Sequence, residues 1–229
     1  KNAMLLLASL AFYAYGEPEF VLIMLASIFI NYGFAVAIDR FRDSRTTLRL
    51  LLIIDAAANL GILFVFKYLD FAISVTNQVA GTDFGVKGIA LPIGISFFTF
   101  QALSYVIDVY RGQVEVQKNP MLLALYISFF PQLIAGPIVR YKTIEQQITD
   151  RQCSLEKFSE GGRRFLLGFC KKVILSNNLS VVAVKVWAMA EVATDVNPAL
   201  LWIGSICYSL QIFYDFSGYS DMAIGLGKI

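Results

Sequence analysis

The chain has 229 residues, of which 57% are hydrophobic and 16% charged, and its mean hydropathy is +0.64. Soluble domains run at roughly 45–50% apolar and about 25% charged, so this composition points to a chain that crosses a membrane several times. The net charge of +2 comes without a dense basic cluster interleaved with aromatics, which excludes a nucleic-acid binder. Three cysteines without CxxC spacing and no histidine leave neither a disulfide framework nor a metal site to expect.

A crossing helix takes roughly 20 apolar residues, with about 17 as the floor. Residues 3–15 fall short and stop at the turn Gly16, Glu17, Pro18, Glu19. That run also fits a signal-peptide core, but no small-x-small site precedes the turn and further spans follow. Because residue 1 is Lys and not Met, the biological start is expected to lie upstream. Residues 20–38 predict a span, followed by Arg40, Arg42, Arg45 and Arg49 in a short connection. Basic short connections stay in the cytoplasm, which places the acidic turn at Glu17 and Glu19 outside.

Residues 50–66 predict the next span. Asp55 and Asn59 sit one turn apart on one face and predict structural pairing with a buried partner. Ala56, Ala57, Ala58 and Gly61 suit close helix packing. Residues 67–88 are expected to form an external loop. Residues 89–107 return inward with Pro92 and Gly94 near their outer end, and Ser96, Thr99, Gln101 and Ser104 are expected to hydrogen-bond between helices. Residues 108–120 read as a cytoplasmic loop.

The stretch FFPQLIAGPIVRY, residues 129–141, interrupts an apolar run with Pro131, Gly136 and Pro137. Each proline removes an N–H and clashes with the preceding turn, and broken backbone at membrane depth survives only inside protein or along a wet cavity. A full crossing by residues 121–139 would put Arg140, Lys142, Arg151, Lys157, Arg163, Arg164, Lys171 and Lys172 outside, against the charge rule. A re-entrant segment that dips in from the cytoplasm and returns there resolves the conflict. Residues 154–172 then read as an interfacial helix: Leu155, Phe158, Phe165, Leu166 and Phe169 make an apolar face, Arg163, Arg164, Lys171 and Lys172 a basic one, and Gly161-Gly162 weakens it. Residues 173–190 cross outward, with Lys185 snorkelling to the interface. Residues 191–197 form an acidic turn, residues 198–213 cross back, and residues 215–229 re-enter. No internal repeat, low-complexity tract or linker appears.

Chemistry concentrates in DFSGYSD, residues 215–221. Two carboxylates, two serines and a tyrosine beside an apolar span either line a cavity or form a polar helix end on which Asp215 caps the following turn. Arg140 either holds an anionic group of a substrate or anchors the chain at lipid headgroups. Gln132, a buried amide in need of partners, is expected to brace the broken backbone. There is no G-x-S-x-G elbow, no histidine base, and no phosphate-loop or dinucleotide motif.

Three strings, LPIGISFFTFQALSYVIDVYRG at residues 91–112, FFPQLIAGPIVRY, and YSLQIFYDFSGYSDMAIGLG at residues 208–227, together resemble the membrane-bound O-acyltransferases, in particular the bacterial alginate and polysaccharide O-acetyltransferases. The resemblance implies an all-α, polytopic helical bundle with re-entrant and interfacial helices, one domain over residues 1–229 that continues past Ile229. It implies transfer of an acetyl group from a cytoplasmic donor, acetyl-CoA or an acyl-carrier thioester, to hydroxyls of an exported cell-surface polysaccharide, directly or through an extracytoplasmic acetyltransferase partner, in the bacterial inner membrane. No tightly bound cofactor is implied. The tunnel-lining candidates are Gln132, Arg140, Gln211, Asp215, Ser217, Tyr219, Ser220 and Asp221. The family's catalytic histidine follows the DFSGYSD string and is expected beyond Ile229, so residues 1–229 alone are expected to be inactive. Two alternatives remain: D-alanyl transfer to teichoic acids, whose acyltransferase shares the AGP and DFSGYSD-like strings, and a transporter with broken helices, which often shows inverted repeats not found here.

Overall fold

The computed structural model describes residues 1–133, 136, 139–149, 154–192 and 196–229, and all their regular structure is helical. Two compact units divide the chain: Lys1–Ile134 with Ile138–Arg151, and Ala135–Pro137 with Gln152–Ile229. Among the described residues, four helical runs are long and apolar enough to cross a membrane, Val21–Arg40, Arg45–Lys67, Leu155–Val192 and Pro198–Lys228. They carry large apolar side chains outward, among them Phe29, Ile53, Trp202 and Phe213. Helices that are apolar all round need hydrocarbon or protein on every side, and this is a multi-pass membrane protein.

The first unit contains α1 (Asn2–Gly16), α2 (Val21–Arg40), α3 (Arg45–Lys67), α4 (Leu69–Ala80), α5 (Ile95–Tyr110), α6 (Pro120–Ser128), α7 (Phe130–Leu133) and α8 (Tyr141–Thr149). α2 and α3 pack on α5, and α1 and α2 pack on α6. Met24, Ile28 and Ile38 from α2, Phe98 and Tyr105 from α5, and Leu123 and Tyr126 from α6 are buried together. α3 starts five residues before its apolar run because Ser44 caps it, its hydroxyl accepting from Thr47 N at 3.5 Å.

The predicted pairing of Asp55 and Asn59 is present, and its partner is Asn31 on α2. The two amides exchange hydrogen bonds at 3.0 and 3.1 Å, and Asn59 Nδ2 also donates to Asp55 Oδ1 at 3.2 Å. In hydrocarbon these groups have no water to fall back on, so they fix which faces of α2 and α3 meet. Asn31→Ala leaves Asn59 Oδ1 without its donor and is expected to cost about 1–3 kcal/mol, read as a lower unfolding temperature in detergent. An unchanged midpoint would show that the network contributes nothing to the packing of α2 on α3.

Several expectations are corrected. Residues 67–88 are not all loop, because Leu69–Ala80 is helical and ends at left-handed Gly81. Asp108 is not in a cytoplasmic loop. It lies in α5, 3% exposed, and its Oδ2 has no hydrogen-bond partner among the described residues. The helix–helix role of the α5 hydroxyls and amide holds for Gln101, whose Nε2 donates to Tyr126 O at 2.7 Å. Ser104 donates to Gln101 O within its own helix and also meets the Tyr126 hydroxyl of α6, while Thr99 Oγ1 is buried with no hydrogen-bond partner among the described residues.

The break ahead of Pro131 is clear. α6 stops at Ser128 and is about 14 Å long at 1.5 Å per residue, under half of a roughly 30 Å hydrocarbon core. The predicted re-entrant return falls on residues 134, 135, 137 and 138, which lie outside the described residues. The residues ahead of that segment are tied down. Phe130 N donates to Ser9 Oγ at 3.3 Å, and Leu133 O sits 2.7 Å from where a Cβ on Gly94 would be. Gly94 is at φ +77, which costs an L side chain about 1–2 kcal/mol by itself. Gly94→Ala is therefore expected to lower stability by at least that much, since it adds a backbone clash. Thermal unfolding in detergent checks this, and a neutral result would mean that the 91–94 turn is not held against α7.

The second unit contains α9 (Leu155–Cys170), a π-helical segment (Lys171–Ser176), α10 (Asn177–Val192) and α11 (Pro198–Lys228). Residues 155–192 form one unbroken helical run, about 57 Å long, and α11 is about 46 Å. Residues 155–172 and 173–190 are not two separate helices but one helical run joined through the π-helical segment, and the basic face of its first part meets α11. The expected re-entry at residues 215–229 is corrected too, because α11 runs straight through it. Asp215 is therefore mid-helix and caps nothing.

Candidate functional site

The site is a seam where α9 and the π segment meet α11. Gly161 and Gly168 stand seven positions apart on α9, as do Gly218 and Gly225 on α11. An added Cβ on Gly168 would lie 2.5 Å from Gly218 O, and one on Gly161 2.6 Å from Gly225 O. The two backbones thus touch without side chains between them, which is how small residues bring membrane helices close. The Gly161-Gly162 pair does not weaken the helix in the way expected, since Gly161 is a contact surface.

Close approach lets short acidic side chains on α11 meet long basic ones opposite. Asp221 accepts from Arg164 Nε at 3.0 Å through Oδ1 and from Lys171 Nζ at 2.6 Å through Oδ2. Lys171 Nζ also donates to Ser217 Oγ at 3.1 Å. Lys172 pairs with Asp215, and Lys228 with Glu160. Lys171 and Lys172 are adjacent in sequence yet both reach α11, and they lie in the π-helical turns, a geometry that recurs at functional sites. Asp221 is 19% exposed and Asp215 38%, so the doubly paired carboxylate is the more enclosed one.

Lys172, Asp215, Phe216, Tyr219 and Met222 line an open groove of about 190 Å³. That is smaller than the roughly 300–1,000 Å³ of pockets for drug-sized ligands.

The structure brings together Asp215, Ser217, Tyr219 and Asp221. Ser220 is half-buried on the same helix, and Gln211 offers its carbonyl to Ser176 Oγ at 3.2 Å. Arg140 and Gln132 belong to the other unit. Arg140 is exposed, and the Gln132 side chain lies outside what is described. Arg164, Lys171 and Lys172 were missed as site residues because a basic face reads equally well as one turned to headgroups. The matched seven-residue glycine spacings were the available signal that this face is covered.

A second cluster holds the exit of the proline-broken stretch. The rings of Tyr105, Tyr126 and Tyr141 meet edge-on with centroids 5.0–6.4 Å apart. Tyr126 Oη donates to Val139 O at 2.7 Å, and Gln117 Nε2 donates to Tyr141 Oη at 2.7 Å. Burial pushes the Tyr141 phenol above its ordinary range, so it stays neutral.

The profile of the membrane-bound O-acyltransferase family matches residues 96–228. The chain is 38% identical to "Probable alginate O-acetylase AlgI" of Pseudomonas putida, with 99% of this chain and 47% of that protein covered. It is 34% identical to the peptidoglycan O-acetyltransferase of Helicobacter pylori over 97% of this chain and 47% of that protein. It is also 26% identical to the teichoic acid D-alanyltransferase of Bacillus subtilis, over 60% and 35% respectively. The chain spans about half the length of the first two relatives.

Proposed function

Since this chain belongs to the membrane-bound O-acyltransferase family, we propose that the whole protein moves an acetyl group from a cytoplasmic thioester, acetyl-CoA or an acyl carrier, to hydroxyls of an exported polysaccharide. The acceptor is reached directly or through an extracytoplasmic acetyltransferase partner, and the membrane is the bacterial inner membrane. The observation that carries this is near-complete coverage of the chain by similarity to two O-acetylating proteins.

Attack of a hydroxyl on a thioester needs a base and a means of steadying the developing oxyanion. The 229 residues contain no histidine. The Asp221 carboxylate has both oxygens committed to cations, which leaves it unsuited to take a proton from an incoming alcohol. We assign Asp221, Lys171 and Arg164 as positioning residues that set the spacing of α9 and α11. Ser217 is held by Lys171 in the same seam. Tyr219, Phe216 and Met222 form the wall against which the acyl group or its carrier arm rests. Gln132 and Arg140 stay candidates for lining the proline-broken segment.

The test uses the full protein in sealed vesicles, with acetyl-CoA or an acetylated carrier on the cytoplasmic side and alginate or peptidoglycan fragments with any partner on the other. Acetyl transfer is expected, together with donor hydrolysis when the acceptor is omitted. Preference for a D-alanyl carrier thioester would move the protein to the teichoic-acid class. Solute uptake without any acyl transfer would overturn the enzymatic function.

A further inference from the structure

α4 takes no part in the seam, and none of its residues is fully buried. It begins where α3 ends, with Tyr68 capping both helices. At that junction Lys67 Nζ lies 5.5 Å from the centre of the Tyr68 ring. Lysine and tyrosine gather at membrane boundaries because each has an apolar body and a polar tip. At about 18 Å, α4 is too short to cross a bilayer.

Its outward face is apolar. Phe71, Val75 and Val79 recur every fourth residue, 68%, 40% and 82% exposed. On the other side Asp70 and Asn77 hold the following segment. Asp70 accepts from Lys87 N at 3.1 Å and Ile89 N at 3.0 Å. Asn77 donates to Phe84 O at 2.8 Å and accepts from Phe84 N at 2.9 Å. The segment so held shows Phe84 and Val86 outward, 58% and 57% exposed. Thr76 Oγ1 is satisfied by Ala72 O at 2.8 Å, so it needs no water. Ser74 and Gln78 flank the stripe on one side.

We infer that α4 lies in the headgroup–acyl boundary at the Lys67 end of α3, with Phe71, Val75 and Val79 in contact with phospholipid. A helix with an uncharged apolar stripe, too short to span, binds an interface in this way. Near the same end of the span, Leu60 and Phe64 of α3 are each 48% exposed. α4 starts at the Lys67 end of a crossing helix, so its apolar stripe begins at the membrane boundary, where phospholipid is the neighbour. The arginines at the other end of α3 assign this face to the side away from the cytoplasm, the side on which the proposed acceptor is met.

The experiment places single nitroxide labels at Phe71→Cys, Ser74→Cys, Val75→Cys, Gln78→Cys and Val79→Cys in the full-length protein freed of its other cysteines. The protein is reconstituted in phosphatidylcholine–phosphatidylglycerol vesicles. Collision with oxygen is expected to exceed collision with a water-soluble nickel chelate at residues 71, 75 and 79, and the order is expected to reverse at 74 and 78. Nickel dominating along the stripe would mean that it faces water, and neither reagent reaching it would mean that protein covers it. Either result overturns the inference. Val79→Trp, at a position already 82% exposed, gives a second reading in a background without other tryptophans. Quenching by brominated lipid supports the placement, and unquenched emission overturns it.

Discussion

Gly168→Ala is expected to destabilise the second unit, while Gly162→Ala, six residues earlier on the same helix, is expected to stabilise it. Alanine is the better helix former by about 0.8–1 kcal/mol, so with free space the substitution helps. At Gly162 nothing lies within 4 Å of the new Cβ. At Gly168 the new Cβ would meet Gly218 O at 2.5 Å, Met222 N at 2.8 Å and Asp221 Cβ at 3.0 Å. Two of these atoms are backbone, so relief requires α9 and α11 to separate. Overpacking of this kind costs typically about 1–3 kcal/mol, which outweighs the propensity gain. Gly168→Leu is expected to prevent assembly of the hairpin. Thermal unfolding of the purified variants in detergent measures the sign, and two stabilised alanine variants would show that the glycine contact is not formed in the protein.

Asp221→Ala is expected to lower acyl transfer by the full protein more than Asp215→Ala does, and both more than Asp55→Ala, at equal abundance in the membrane. Asp221 is the better enclosed and bridges two cations, so its loss leaves Arg164 and Lys171 facing each other unneutralised. Displacement of about 1 Å at a reacting centre can cost on the order of 10²-fold in rate, and that is the loss expected for Asp221→Ala. Asp215 is more exposed and has one partner, so solvent replaces part of what it does. Asp55 sits in the α2–α3 network, and its removal is expected to act on stability. Replacing the whole triad, Arg164→Met and Lys171→Met with Asp221→Leu, separates the two roles: it is expected to recover stability, since apolar groups often substitute for buried ion pairs and triads, but not transfer. Recovery of both would make the seam purely structural, and a larger loss from Asp55→Ala would remove the seam from the functional site.

Helix content and membrane class were legible because they depend on the local count of apolar residues. The runs at 20–38 and 50–66 became α2 and α3 with shifts of a few residues, set by Ser44 as a cap and by helical continuation into Arg40. The strings carrying the family resemblance were also local, and they led to the family that the profile match shows. Proline chemistry is local as well, so the end of α6 ahead of Pro131 followed from the residues alone.

What required the tertiary structure was every feature defined by a second helix. The residues of 154–172 present the same amphipathic pattern whether their basic face meets headgroups or carboxylates. Only the pairing of Gly161 with Gly225 and of Gly168 with Gly218 decides in favour of carboxylates. DFSGYSD contains as much polarity as a helix end would, yet α11 passes through it because Lys171, Lys172 and Arg164 neutralise the charge that would otherwise favour fraying into water. Asn31 carries no mark in the sequence that singles it out as the partner of Asn59, and α4 was hidden because twelve residues are too few for a span and read as the connection between two of them. A sequence reports what each residue prefers, whereas an ion pair or a backbone contact between residues about fifty positions apart depends on where two rods cross, and that is settled by packing.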